Sequence, residues 1–411
     1  MPMRKELLVI GQTFPEPGTT AAGVRMMQLI DFFIAQKFSV TFATTAALTE
    51  YTVDLKQRGV KTQRLSLNDP SFDRFIKALK PDIVLFDRFI TEEQFGWRVT
   101  AYCPEALRIL DTEDLHFLRK ARAEALKHNR PVSEADLYTD LAKREIASIL
   151  RSDLSLIISE KEMEILQLQF KIPDTILLYL PFLVEPPSEE VKEDMPDFKN
   201  RTNFVTIGNM LHAPNLDSVL YLKNKIWPGI RNELPNAEMH IYGAYATRKI
   251  SELHDDKQGF ILKGWVEDAD TMMQQARVCL APLRFGAGLK GKLVTAMKNG
   301  TPCVTTGIGA EGIPEMRGCE DEASFISASV ELYTEKNSWI KQQAENFRML
   351  QDHFSKESHS QELIKRIFRL TEQLGEHRKQ NFIGQILQHH TLQSTKYLSK
   401  WIEAKRKDDY F

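Results

Sequence analysis

The chain has 411 residues, 42% of them hydrophobic and 27% charged, with a formal net charge of -2. That length exceeds what one core holds and fits two domains, and the composition excludes a disordered or fibrous chain. The near-neutral balance offers no basic field, so no nucleic acid is expected as a partner.

Four cysteines, Cys103, Cys279, Cys303 and Cys319, show no paired metal-type spacing. Cys279 and Cys303 sit in apolar, strand-like runs and read as buried, inert thiols, which makes a reducing cytoplasm the expected location. The opening residues Met1 to Glu6 lack the long apolar core of a signal peptide. No apolar run reaches the length that spans a bilayer, and peripheral contact with a membrane stays open.

In chain order, Leu7–Ile10 reads as a strand, 22–36 as a helix with Met26, Leu29, Ile30 and Phe33 at helical spacing, and Val40–Ala43 as the next strand. Ile83–Phe86, Ile109–Leu110 and Leu154–Ile158 follow as buried strands, implying a parallel sheet with crossover helices. Pro181, Pro186, Pro187 and Pro196 mark a linker. The alternation then repeats with Phe204–Ile207, Met239–Tyr242, Phe260–Leu262, Val278–Ala281 and Cys303–Thr305, helices such as Ser218–Lys225 and Ala269–Ala276 lying between. After about residue 340 the pattern is helical. The expected class is α/β: two Rossmann-like domains, 1–185 and 186–370, facing across a cleft, with a helical extension over 371–411. Ligands of such folds sit beyond the carboxyl ends of the strands.

Pro282 to Ile313 holds two glycine loops in succession. In the first, Gly286, Gly288, Lys290, Gly291 and Lys292 follow a strand and open a helix whose free N–H groups favour an anion. Lysine in a first helical turn is unfavourable unless an anion compensates. The helix ends at Gly300, and a further strand leads to Gly307, Gly309, Glu311 and Gly312. Each loop alone is as readily a simple turn; two on successive strands, with lysines in the first, point to a diphosphate.

The ordered blocks Ile207-Gly208-Asn209-Met210 with Pro214-Asn215, Trp227-Pro228-Gly229-Ile230, His240-Ile241-Tyr242-Gly243, Lys263-Gly264-Trp265-Val266, Ala281 to Lys292 and Gly300 to Gly312 resemble the donor-binding domain of retaining glycosyltransferases of family 4 (glycosyl transferases group 1), which have the GT-B fold. Pro15-Glu16-Pro17-Gly18, Arg25, Asp111 to His116 and Ser159 to Glu162 fit more loosely, so the resemblance covers about residues 5 to 370. It implies a nucleotide-sugar donor whose diphosphate meets Lys290, Lys292 and the backbone N–H groups of Ile308 to Gly312. Gly208 and Asn209 would border the cleft, and Lys263 to Val266, Gly264 included, would lie near the base. No cofactor and no divalent metal are expected, because lysines and helix ends take the metal's electrostatic part. The chain departs from the family at Ala287 and Thr295, where members carry glutamates. The carboxylate expected at the ribose hydroxyls is thus missing, with Glu311 or Glu315 as conceivable substitutes.

For the chemistry, Arg108-Ile109-Leu110 should end a strand at Asp111, with Asp111, Asp114 and His116 on the cleft side as acid/base candidates. The bland alternative is a helix cap by Asp111 or Thr112. Asp87-Arg88 also follows a buried strand, and Arg88 and Arg25 are candidates for the acceptor side. In the tail, Phe382, Ile386, Leu387, Tyr397, Leu398, Trp401 and Ile402 stand at helical spacing and are expected to pack back on the first domain. His389-His390 point apart on a helix, against a metal site. Lys396, Lys400, Lys405, Arg406 and Lys407 make the end mildly basic, which suits either solvent or an anionic membrane surface.

The reading is a transferase moving sugar from a nucleotide donor to a glycan or lipid-linked acceptor in polysaccharide biosynthesis, and the resemblance implies the retaining kind. The alternatives are a catalytically degenerate binding subunit and a sugar-nucleotide epimerase.

Overall fold

A computed structural model describes residues 5–408, apart from the side chains of Thr391, Leu392, Lys407 and Asp408. The opening Met1–Arg4 and the Lys407 side chain, both part of the sequence reading, lie outside the described residues.

The first domain is a seven-stranded parallel sheet: β1 (Glu6–Gly11), β2 (Ser39–Thr44), β3 (Lys61–Arg64), β4 (Ile83–Asp87), β5 (Leu107–Asp111), β6 (Leu154–Ile157) and β7 (Leu177–Tyr179), in the spatial order 3-2-1-4-5-6-7. Strands β4, β5 and β6 are buried along their whole length. Helices cover both faces of the sheet, which is why these strands read as continuous apolar runs. The two edges escaped the sequence reading for the same reason. Strand β3, Lys-Thr-Gln-Arg, is exposed throughout, and β7 has only three residues. Edge strands carry little apolar signal.

The second domain is a five-stranded parallel sheet of β8 (Thr202–Ile207), β9 (Met239–Tyr242), β10 (Phe260–Gly264), β11 (Ala276–Ala281) and β12 (Cys303–Thr305), in the order 10-9-8-11-12. Cys279 and Cys303 stand side by side on β11 and β12, buried. The helix expected near Ser218–Lys225 lies inside a longer run, Ala213–Tyr221 and Trp227–Glu233 joined by the wider turn Leu222–Ile226.

The chain crosses between domains twice, side by side. Val184 N–H donates to Phe354 O at 3.0 Å and Lys356 N–H to Val184 O at 2.9 Å. The return therefore falls at residues 354–355, earlier than the boundary expected at 370. Leu363, Ile367 and Leu370 of helix Lys356–Glu372 lie in the first domain's core with Leu7, Leu29 and Phe33. Helix Phe382–Asp408 then lies across helices Arg88–Tyr102 and Asp140–Arg151. At the cleft base the cores merge: Ala287 packs into the first domain's cluster, and Ile158 and Phe182 into the second's.

Candidate active site

Both sheets point their carboxyl ends at one cleft of about 1310 Å³. On the second domain's side, β8 ends at Gly208 and Asn209, which line it. A Cβ on Gly208 would meet the Asn215 side chain at 2.6 Å, so only glycine lets Asn215 lie over the strand end. Asn215 Nδ2 donates to Asn209 O at 3.0 Å, and Asn215 Oδ1 accepts from Lys292 Nζ at 3.1 Å. After β11 the chain turns through Gly286 and Gly288, the latter left-handed at φ 61°, and enters helix Gly291–Lys298. Lys290 Nζ donates to Gly288 O at 2.7 Å. Burial lowers both lysines to about 8. Neither ammonium forms an ion pair with a carboxylate among the described residues. Two desolvated cations at a helix N-terminus, hydrogen-bonded only to neutral oxygens with the nearest carboxylates at longer range, suit an anionic ligand.

The first domain supplies the facing wall. Strands β4 and β5 are in register, with Asp87 beside Asp111. Asp87 Oδ2 accepts from Gln12 N–H at 3.0 Å, and Arg88, left-handed at φ 69°, donates to Gln12 Oε1 at 2.8 Å. Arg88 lines the cleft. Glu113 is also left-handed, at φ 61°, lines the cleft, and has one buried oxygen without a partner. Burial, reinforced by Asp111 and opposed by Arg88, raises its carboxyl to about 8. Asp114 is different. Burial works against its charge, but Arg119 and His116 outweigh it and hold its pKa below the usual carboxylate range. His116 Nδ1–H donates to Glu145 Oε1 at 3.1 Å and lies 3.6 Å from Asp114, its ring edge-on to Phe89 at 5.4 Å. Across the cleft His212 keeps an exposed side chain, and its partial desolvation together with the charge of Arg119 moves its pKa downward, towards the neutral imidazole.

These groups can bind a diphosphate on one wall and hold an acceptor hydroxyl between an oriented histidine and a protonated carboxyl on the other. Among the described residues no group of three or more His, Cys, Asp or Glu is placed to hold a metal ion.

Residues 201–335 match the family described as Glycosyl transferases group 1. The matched segment holds all of β8 to β12 and the second domain's wall of the cleft. Sucrose-phosphate synthase from Thermosynechococcus elongatus is similar over 89% of this chain and 99% of its own, with a TM-score of 0.67 at 14% identity. HepE of Anabaena, solved with UDP and glucose, has a TM-score of 0.62 at 12% identity over 89% of this chain and 99% of its own. The fold is GT-B. In sequence, a Klebsiella pneumoniae protein described as an uncharacterized 44.6 kDa protein in the cps region is 26% identical over 182 residues. That stretch covers 41% of this chain and 46% of the relative, just under half its length.

Within this GT-B cleft, Gly208, Asn209, Gly286, Gly288, Lys290, Lys292, Arg88, Asp114 and His116 all line the space, as the sequence suggested. Others do not. Arg25 is buried beneath the floor, its Nε donating to both oxygens of Asp111 at 2.9 and 3.1 Å and its Nη1 to Leu180 O at 2.7 Å. Arg25 and Asp111 thus neutralise each other; neither reaches the cleft. Nor does Asp111 or Thr112 cap the following helix, His116–Lys127. Its first amides are taken by Glu145, from His116 at 3.0 Å and Phe117 at 2.7 Å.

The second glycine loop is a brace. Gly309 N–H goes to Thr306 Oγ1, Ala310 N–H to Thr306 O and Glu311 N–H to Gly307 O, so these amides are spent within the loop. Gly312, at φ 82°, passes the Ser159 side chain too closely for a Cβ, which would meet Ser159 Oγ at 2.6 Å. Glu311 is held bidentately by Arg122, at 2.5 and 2.7 Å, and is not free for ribose. Glu315 is paired with Arg348. Gly264 makes a left-handed turn at φ 75° just outside the lining, while Trp265 and Val266 line it.

Glu145, Glu162, Arg119, Arg122 and His212 were not singled out in the sequence reading. Glu145 reaches His116 from a separate helix, and no local spacing announces such a contact. Glu162 stands in the Ser159 to Glu162 block, after β6, where a strand-end carboxylate could have been suspected.

Proposed function

We propose that this chain is a glycosyltransferase moving a sugar from a nucleotide-diphosphate donor to a glycan or lipid-linked acceptor, with retention of configuration, in polysaccharide biosynthesis. The observation that carries the reading is the pair of desolvated lysines, Lys290 buried and Lys292 half-buried, hydrogen-bonded to neutral oxygens at the mouth of helix Gly291–Lys298. A diphosphate leaving group develops negative charge as the glycosidic bond breaks, and fixed cations with helix amides stabilise that charge. The acceptor hydroxyl enters from the wall of Glu113, Asp114 and His116, and the donor phosphate takes its proton on the same face as the bond that breaks. His116, fixed by Glu145, and Arg88 position the acceptor. The ammonium groups do the work of a divalent ion, so transfer should persist in a chelator. HepE was solved with UDP and glucose, which makes uridine donors the first to try.

A second reading is a binding subunit without turnover. It is favoured by Ala287, packed into the first domain's core, and by Thr295, a hydroxyl on the cleft wall where a ribose carboxylate was expected. Glu267 lines the cleft and is the alternative ribose partner. Nucleotide release across a panel of sugar nucleotides separates the readings. Release that needs an added acceptor is the outcome expected. Interconversion without an acceptor would mean epimerisation, and binding without release would mean the subunit.

A further inference from the structure

Helix Phe382–Asp408 docks by one face only. Asn381 Nδ2 donates to Leu150 O at 2.7 Å, Gln388 Nε2 to Arg151 O at 2.8 Å, and Arg98 donates to Ser399 Oγ at 3.0 Å and pairs with Glu403. Gly384 sits so close that a Cβ would meet Leu150 O at 2.1 Å. These contacts fix the rotation of a helix roughly 40 Å long.

The opposite face is bare, apolar at its two ends, with the exposed His390 and Ser394 between them. Phe382, Ile386, Tyr397 and Trp401 recur at the spacing of a single helical stripe, with Ile383 and Leu398 beside them. All six are exposed, from 44% at Ile386 to 68% at Phe382. Packing against the first domain, expected for Phe382, Ile386, Tyr397, Leu398 and Trp401, is not what these side chains do. The face is edged by cations: Lys396 adjoins Tyr397, and the Lys405 ammonium lies 4.2 Å from the centre of the Trp401 ring. Among the described side chains of this helix the only carboxylate is Glu403, which is turned inward to Arg98 and Lys400.

We propose that this face lies on an anionic phospholipid surface, with the aromatic and aliphatic side chains at the headgroup boundary and Lys396 and Lys405 against lipid phosphates. An apolar stripe with tryptophan and tyrosine, edged by lysine, matches such an interface. A second copy of the chain fits less well. Pairing this face with itself brings lysine to lysine with no carboxylate among the described side chains to answer it, whereas an anionic bilayer answers both cations. No described helix is long and apolar enough to cross a membrane, so the contact is along the surface. The inference is independent of the transfer reading, because it concerns binding away from the cleft.

The test is co-sedimentation of the full chain with vesicles of phosphatidylcholine alone and of phosphatidylcholine with roughly a third phosphatidylglycerol, at low and high salt. Binding to the anionic vesicles only, weakened by salt, is expected. Ile386→Ser with Trp401→Ser should lower it about tenfold or more, and Lys396→Glu with Lys405→Glu by a similar factor. Unchanged thermal melting would show both variants folded, as solvent-exposed substitutions should leave them. Equal binding to neutral vesicles, no binding, or wild-type binding by either variant overturns the proposal. So does a dimer in sedimentation velocity that the serine pair dissolves, which would assign the face to a second copy.

Discussion

One carboxylate oxygen of Glu162, in the first domain, accepts the Gly288 amide of the second domain's first glycine loop and the Leu115 amide of its own domain, each at 2.9 Å. The two walls of the cleft are thus tied through a single side chain. Its other oxygen is buried without a partner. Burial, with the charge of Asp114, pushes this carboxyl up to about 8. A folded-state pKa raised above the unfolded value contributes stability that is complete below the ordinary carboxylate range and lost as pH rises through about 8. Stability should therefore fall across that window, by at most ~1.4 kcal/mol per pH unit for one group, and the melting temperature with it. Glu162→Gln should flatten the fall, which melts at stepped pH would read. A slope equal to wild type refutes the link.

Lys290 and Lys292, proposed to meet the donor diphosphate, have the opposite sign. Their folded pKa of about 8 lies below the ordinary lysine value, so each weakens the ligand-free fold at neutral pH. Lys292→Met should leave the ligand-free melting temperature equal or higher, yet reduce transfer by ~100-fold or more. Because a bound diphosphate favours the charged ammonium, donor affinity should weaken as pH rises through about 8. Calorimetric titration at stepped pH measures that. A Lys292→Met enzyme with wild-type turnover would end the diphosphate assignment.

His116 and Glu145 should act on the acceptor and not on the donor. His116→Ala is expected to lower kcat by ~100-fold or more while the nucleotide Kd stays put. Glu145→Gln, which keeps an acceptor for the imidazole N–H but loses the charge, should have a smaller effect. Steady-state kinetics with acceptor varied, alongside nucleotide titration, would tell; a large loss of nucleotide binding in His116→Ala contradicts the placement.

Arg25 and Asp111 predict a purely structural phenotype. Removing one partner leaves the other buried and unpaired, so Arg25→Met should cost ~3–5 kcal/mol of stability. The double variant Arg25→Met with Asp111→Leu should recover most of that. Denaturant unfolding decides it, and no recovery in the double variant would count against the pairing argument.

Arg122 and Glu311 join the domains across the second glycine loop. Glu311→Gln and Arg122→Met should both loosen closure, visible as a larger radius of gyration in solution scattering. If Glu311 instead held the ribose, its variant alone would raise the nucleotide Kd. The closed rim supports the first outcome: Trp265 Nε1–H donates to Gly18 O at 3.0 Å and Tyr245 OH to Glu16 Oε2 at 3.0 Å, with Tyr51 between the two rings.

The sequence by itself determined the two parallel sheets, because strands covered on both faces are written as unbroken apolar runs, as in Ile83–Phe86 and Val278–Ala281. It also located one wall of the cleft. Gly286, Gly288, Lys290 and Lys292 are near one another in the chain, and a loop's backbone needs and its charges are local properties. What only the tertiary structure decided was which charges are spent. Arg25 meets Asp111, Arg122 meets Glu311, and Glu145 orients His116 across large sequence separations. A carboxylate's freedom depends on the nearest cation in space, which spacing along the chain does not encode. The same reason covers the tail: its apolar period was legible, but which face docks and which stays bare was fixed by Arg98, Leu150 and Arg151.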